Sequence, residues 1–163
     1  MSQAAIRALY DRIGDDPRSP GEEALRVLIT AADEVAAGGF EQLYYFEPDI
    51  ARRAPVCARL VTARRFERLF EAANAIAFED PEPKRRRTAA RRMLRAVESH
   101  GDQLAQLDNA FDALMADDAE RIEVHLARYV EYHPHEFETE EGGRRAGQAR
   151  RPEMRGRRVS ERE

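Results

Sequence analysis

The sequence predicts an all-α protein: a single irregular bundle of about six to seven helices over residues 1–137, then a disordered tail, 138–163. Three observations carry this. Apolar residues recur every three or four positions from Ile6 to Val130, the period of one helix face. Caps, glycines and prolines fall between these stretches. The aromatic run Phe40 to Phe46 has strand propensity, yet no other segment offers a partner strand, so a short helix or turn is expected there.

The elements follow in order. Ser2 is placed to cap a helix over 2–13, with Ile6, Leu9, Tyr10 and Ile13 on one face. Ser19, Pro20 and Glu22 form a capping box with proline at the first helical position. Leu25, Leu28, Ile29, Ala32 and Val35 then repeat at helical spacing, and Gly38-Gly39 ends the run. A helix over 49–61 is expected to start at Asp49 or anew at Pro55. Thr62 is placed to cap the next, whose stripe is Phe66, Leu69, Phe70, Ala73, Ile76 and Ala77. Asp80 to Pro83 reads as a loop, and 84–98 as a helix carrying Ala90, Met93, Leu94 and Val97. Gly101 breaks it. A short helix follows with Leu104, Leu107, Phe111 and Leu114, and the last is expected to start at Asp117 or Asp118. Beyond Phe137 too few apolar residues remain to offset the entropy of ordering the chain.

At 163 residues, with 42% hydrophobic side chains, the chain can hold a core without staples. Its single cysteine, Cys57, excludes an internal disulfide framework and reads as buried and inert. No run of 18 apolar residues and no secretory leader is visible, so a cytoplasmic protein with no membrane partner is expected. The net charge of −4 is strongly partitioned: 1–51 carries −6, 52–97 carries +8, 98–141 carries −11 and 142–163 carries +5. Such blocks mark an interaction surface or pairing between blocks.

Catalytic patterns are absent. There is no phosphate loop, and no serine sits in a nucleophile elbow. His125, His133 and His135 gather near Glu131 and Glu136, but HExxH spacing is missing, as is a pair of histidines one turn apart. No metal, no cofactor and no enzyme activity are therefore expected. Glu34, one turn before the glycine pair, reads either as an exposed helix-end carboxylate or as a polar group bonding the aromatic turn that follows. Arg85, Arg86, Arg87, Arg91, Arg92 and Arg95 make a basic helix face, extended by the arginines of the tail. This face supports an alternative function as a nucleic-acid-associated protein. If Phe40, Tyr44, Tyr45 and Phe46 are exposed they favour a homodimer; the same residues equally suit the core.

Three segments occur in a telling order: Glu34-Val35-x-x-Gly38-Gly39-Phe40-x-Gln42, then Leu107-Asp108-x-x-Phe111, then Tyr129-Val130-x-x-His133 with Phe137. Together they resemble a bacterial family of small all-helical domains. That family is named for a DNA mimic protein, of which it forms the C-terminal domain. The resemblance spans roughly 20–137. Ala36 and Ala37 stand where the family commonly has asparagines, which leaves the glycines, Phe40 and Gln42 with a structural role. The resemblance implies a non-enzymatic interaction domain. Its acidic helices would present phosphate-like charge to a DNA-binding regulator. The carboxylates it suggests here are Asp108, Asp112, Asp117, Asp118, Glu120 and Glu123, with Glu131 beside them.

Overall fold

A computed structural model describes residues 1–78 and 86–138, the side chains of 86–88 apart. Among the described residues there are seven α-helices and no strand. They are α1 (Gln3–Ile13), α2 (Pro20–Phe46), α3 (Pro48–Leu60), α4 (Arg64–Ala77), α5 (Arg86–Ser99), α6 (Gly101–Ala116) and α7 (Ile122–Tyr132), closed by a 3₁₀ turn, Pro134–Glu136. The all-α reading holds. The expected loop at 80–83, the first residues of the expected 84–98 helix and the tail after Glu138 lie outside the described residues.

The N-terminal signals act as read. Ser2 Oγ accepts the Ala5 N–H and caps α1. Ser19 Oγ accepts the Glu22 N–H at 3.0 Å. The return bond of the box is displaced by one residue: the Glu22 carboxylate accepts the Arg18 N–H at 2.7 Å. Pro20 then opens α2, whose buried positions include Leu25, Leu28, Ile29, Ala32 and Val35.

α2 is the central element. It packs against α1, α3, α5, α6 and α7. It does not simply stop at the glycine pair. Gly38 (φ −164°, ψ 27°) and Gly39 (φ 76°, ψ −176°) leave helical geometry, and a second arm resumes from Phe40 to Phe46. The aromatic run is thus helical, as expected. Gly39 adopts an extended positive-φ form rather than the left-handed helical cap predicted for it.

Phe40 and Tyr44 of the second arm are fully buried. Phe40 meets Phe70 of α4 edge-on at 5.9 Å and Phe111 of α6 at 6.2 Å; Phe66 meets Phe111 at 5.6 Å. Edge-to-face packing of this kind adds to the burial gain, and truncating one such ring typically costs about 3–5 kcal/mol. The bend therefore drives an aromatic wedge between α4 and α6.

Two boundaries differ from the reading, and a third is resolved between its alternatives. α3 starts at Pro48, beside the expected Asp49, and runs straight through Pro55. Proline removes the N–H that would bond the Ala51 carbonyl, but Asn74 Nδ2 of α4 donates to that oxygen at 2.9 Å. The same Asn74 accepts the Tyr44 hydroxyl at 2.9 Å. Thr62 does not cap α4. It ends α3 at φ 60°, with Ala63 N–H bonded to Ala58 O and Thr62 N–H to Arg59 O. That is a Schellman closure with a β-branched residue where glycine is usual. Asp117 does not start α7. Its Oδ1 accepts the Ala119 N–H at 2.9 Å, and this side-chain turn delays the helix to Ile122.

Candidate functional site

The bend in α2 is where the first two motif segments meet. The Phe40 N–H, left free by the break in the helix, donates to Asp108 Oδ1 of α6 at 2.8 Å. Asp108 thus caps the second arm from a distant element. A Cβ on Gly39 would lie 2.6 Å from Asp108 Oδ2, so close approach and positive φ both require glycine. Gln42 Nε2 donates to Glu34 Oε2 at 2.9 Å and ties the two arms across the bend. A Cβ on Gly38 would collide with the Gln42 side chain. Phe111, one turn beyond Asp108, supplies the ring on which Phe40 rests. Glu34, Gly38, Gly39, Phe40, Gln42, Asp108 and Phe111 therefore form one knot.

The third segment builds a second knot at the start of α2. Tyr129 hydroxyl donates to Glu136 Oε1 at 2.9 Å, and the Gly21 N–H donates to Glu136 Oε2 at 2.6 Å. Ser19 hydroxyl donates to the Glu136 carbonyl at 2.8 Å. The Glu136 carboxylate sits at the N-terminal end of α2, where the helix dipole favours negative charge. His133 stacks on Tyr129 at 4.3 Å, and Phe137 is buried beside them. Arg12 holds the Phe137 carbonyl at 2.7 Å. A Cβ on Gly21 would meet Glu136, Phe137 and Tyr129 within 2.9 Å. His133 caps α7 at its C-terminal end and is half-buried.

The sequence-derived carboxylates separate into different roles. Asp112 is exposed, one turn from Asp108. Burial pushes the Asp108 carboxyl above its ordinary range; the Phe40 N–H opposes this, while Asp112 and Glu41 add to it. Asp108 is half-buried and committed to the bend. Asp117 and Asp118 are exposed at the α6–α7 corner, the latter paired with Arg121. Glu120 is half-exposed, 3.9 Å from His125 Nε2. Glu123 is turned inward at 2% exposure. It accepts from Gln3 Nε2 at 3.1 Å and lies 3.6 Å from Arg7, so it presents no charge to solvent. Glu131 pairs with the N-terminal amine of Met1.

The model of the DMP19-like protein family matches residues 17–133. The chain belongs to the DMP19-like family. The match takes in both knots almost whole: it begins just before the Ser19 cap and ends at His133. Glu136 and Phe137, which complete the second knot, lie just past the matched segment. Neither the curated proteins nor the solved structures contain a match to this chain.

Among the residues expected at an aromatic dimer surface, Phe40 and Tyr44 are core. Tyr45 and Phe46 are exposed at 66% and 63%, with rings 5.0 Å apart. They border a groove of about 410 Å³ shared with Leu94 and Val97 of α5, with Glu41 and Glu98 on its rim. Arg91, Arg92 and Arg95 are exposed on α5. Arg85 and the arginine tail lie outside the described residues, as do the side chains of Arg86 and Arg87. Among the described residues no helix is long and apolar enough to cross a membrane. Sequence reasoning missed Asn74 and Gly21, and noted Glu136 only as a neighbour of the histidines. A proline inside a helix was the one available signal, since it demands a substitute donor such as Asn74.

Proposed function

We propose that this DMP19-like chain is a non-enzymatic, cytoplasmic interaction domain of the DNA-mimic type, binding a DNA-binding regulator through its acidic helices. Membership of the family carries the reading. The exposed carboxylates of Asp112, Asp117 and Asp118, with Glu120 partly exposed beside them, support it. They stand on helix α6, which Asp108 fixes to the bend of α2, and on the corner that follows. Rigidity matters because a mimic gains affinity only if its charges need not be ordered on binding. Asp108 and Glu123 contribute through the fold that holds this array.

The test is affinity capture from host lysate at low and near-physiological salt. The chain is compared with a quadruple variant, Asp112→Asn, Asp117→Asn, Asp118→Asn and Glu120→Gln. A DNA-binding protein retained by the native chain, lost with the variant and displaced by competing duplex DNA is the expected outcome. Retention by both proteins would discard the mimic reading. Nucleic acid captured instead, with steep salt dependence, would favour the alternative in which Arg91, Arg92, Arg95 and the tail hold a phosphate backbone.

A further inference from the structure

The second knot brings together three groups that suit a metal ion. His133, His135 and Glu136 each offer one ligand atom, and these atoms all lie within 4.8 Å of one another. His133 Nδ1 stands 3.9 Å from Glu136 Oε1. The three belong to one short piece of backbone, and the fixed φ of Pro134 sets the two histidines on either side of the turn. The rings face each other edge-on at 6.1 Å.

The surroundings resemble those of a metal site more than those of a chance surface cluster. The Glu136 carboxylate is already oriented by two donors, the Gly21 N–H and the Tyr129 hydroxyl. Each leaves a lone pair on its oxygen, and such outer partners commonly aim a ligating carboxylate. His133 is held by its stack on Tyr129. His135 is exposed, so its ring can swing inward. Metal–ligand bonds of about 2.0–2.2 Å place ligand atoms roughly 3–3.5 Å apart. Closing the present spacing takes a side-chain adjustment of about an ångström. Two imidazoles and one carboxylate select zinc-class ions over magnesium or calcium.

We propose that His133, His135 and Glu136 bind one divalent transition-metal ion of the zinc class, with water completing the coordination. The ion would brace the C-terminal turn, whose Glu136 already accepts the Gly21 N–H at the start of α2. The HPHE spacing hides this from a search for histidines one helical turn apart, because the ligands sit on a 3₁₀ turn after α7 has ended.

The test titrates Zn²⁺ into the full chain by calorimetry, with Co²⁺ absorption reporting the ligand set. One equivalent is expected to bind, in the presence of excess Mg²⁺, and to raise the melting temperature. His135→Ala should weaken binding at least tenfold while leaving the circular dichroism unchanged, since His135 contacts only the neighbouring ring. His133→Ala should weaken binding likewise. Binding that survives His135→Ala, binding displaced by Mg²⁺, or no binding by the native chain would each overturn the proposal.

Discussion

His125 is a buried imidazole at 8% exposure, and its Nε2 finds no hydrogen-bond partner among the described residues. Burial lowers its proton affinity below the ordinary histidine value; Glu120 opposes this and Arg128 adds to it. The sign of the consequence follows. The unfolded chain takes up a proton near the ordinary histidine range while the folded chain resists, so stability is lost as pH falls through that window. Urea unfolding between about pH 7.5 and about pH 5.5 should show this loss. His125→Asn should show a smaller loss over the same interval. An unchanged slope in the variant would assign the effect elsewhere. At this scale the sequence was only partly informative. The histidines were visible as a cluster, but their separation into a buried His125 and a turn bearing His133 and His135 depends on where α7 stops.

The three elements α2, α3 and α4 are joined by one amide. Pro55 leaves the Ala51 carbonyl of α3 without its helical donor; Asn74 of α4 supplies one and accepts the Tyr44 hydroxyl of α2. Asn74→Ala strands both partners, and a cost of about 2–4 kcal/mol in chemical unfolding is expected. Pro55→Ala should reduce that cost, because alanine restores the N–H that bonds Ala51. The pair should therefore be non-additive by about 1 kcal/mol. Strict additivity would show that Asn74 does not substitute for the missing helical bond. The contrast with other elements explains what the sequence could reveal. Ser2, Ser19 and the stripe of α4 act within a turn or two of themselves, so spacing alone placed them. The readings of Thr62 and Asp117 failed because their outcomes depend on competitors, a Schellman closure and a side-chain turn, and the choice at Pro55 stayed open because it rests on a donor from α4. Likewise, the order of Glu34, Gly38, Gly39, Phe40 and Gln42 was legible. The role of Asp108 as their cap was not, since it comes from another helix.

Over the whole molecule, polar and apolar features fall on neighbouring surfaces. The Tyr45–Phe46 edge and its groove lie beside Glu41 and Glu98, and Glu41 also acts on Asp108. The homodimer expected from exposed aromatic residues would use this edge, with the carboxylates left at the rim. Two adjacent exposed aromatic rings gain by leaving water together. Light scattering should then report a dimer, and Tyr45→Ser with Phe46→Ser should yield a monomer of unchanged helicity. A monomeric native chain would remove the dimer. The charge blocks of the sequence foresaw an acidic α6–α7 region. They did not foresee that Glu123 would be spent inside it, because its burial comes from α1 packing over α7.

The cap on Phe40 also orders events in time. Its acceptor, Asp108, lies 68 residues further along the chain. During synthesis the second arm of α2 emerges long before the carboxylate that terminates it. Until α6 has left the ribosome, the aromatic wedge lacks both its cap and Phe111, and closing so long a loop slows the step that joins them. The first half of this protein must therefore wait, with Phe40 resting on Phe70 but lacking Phe111, for the second half to arrive.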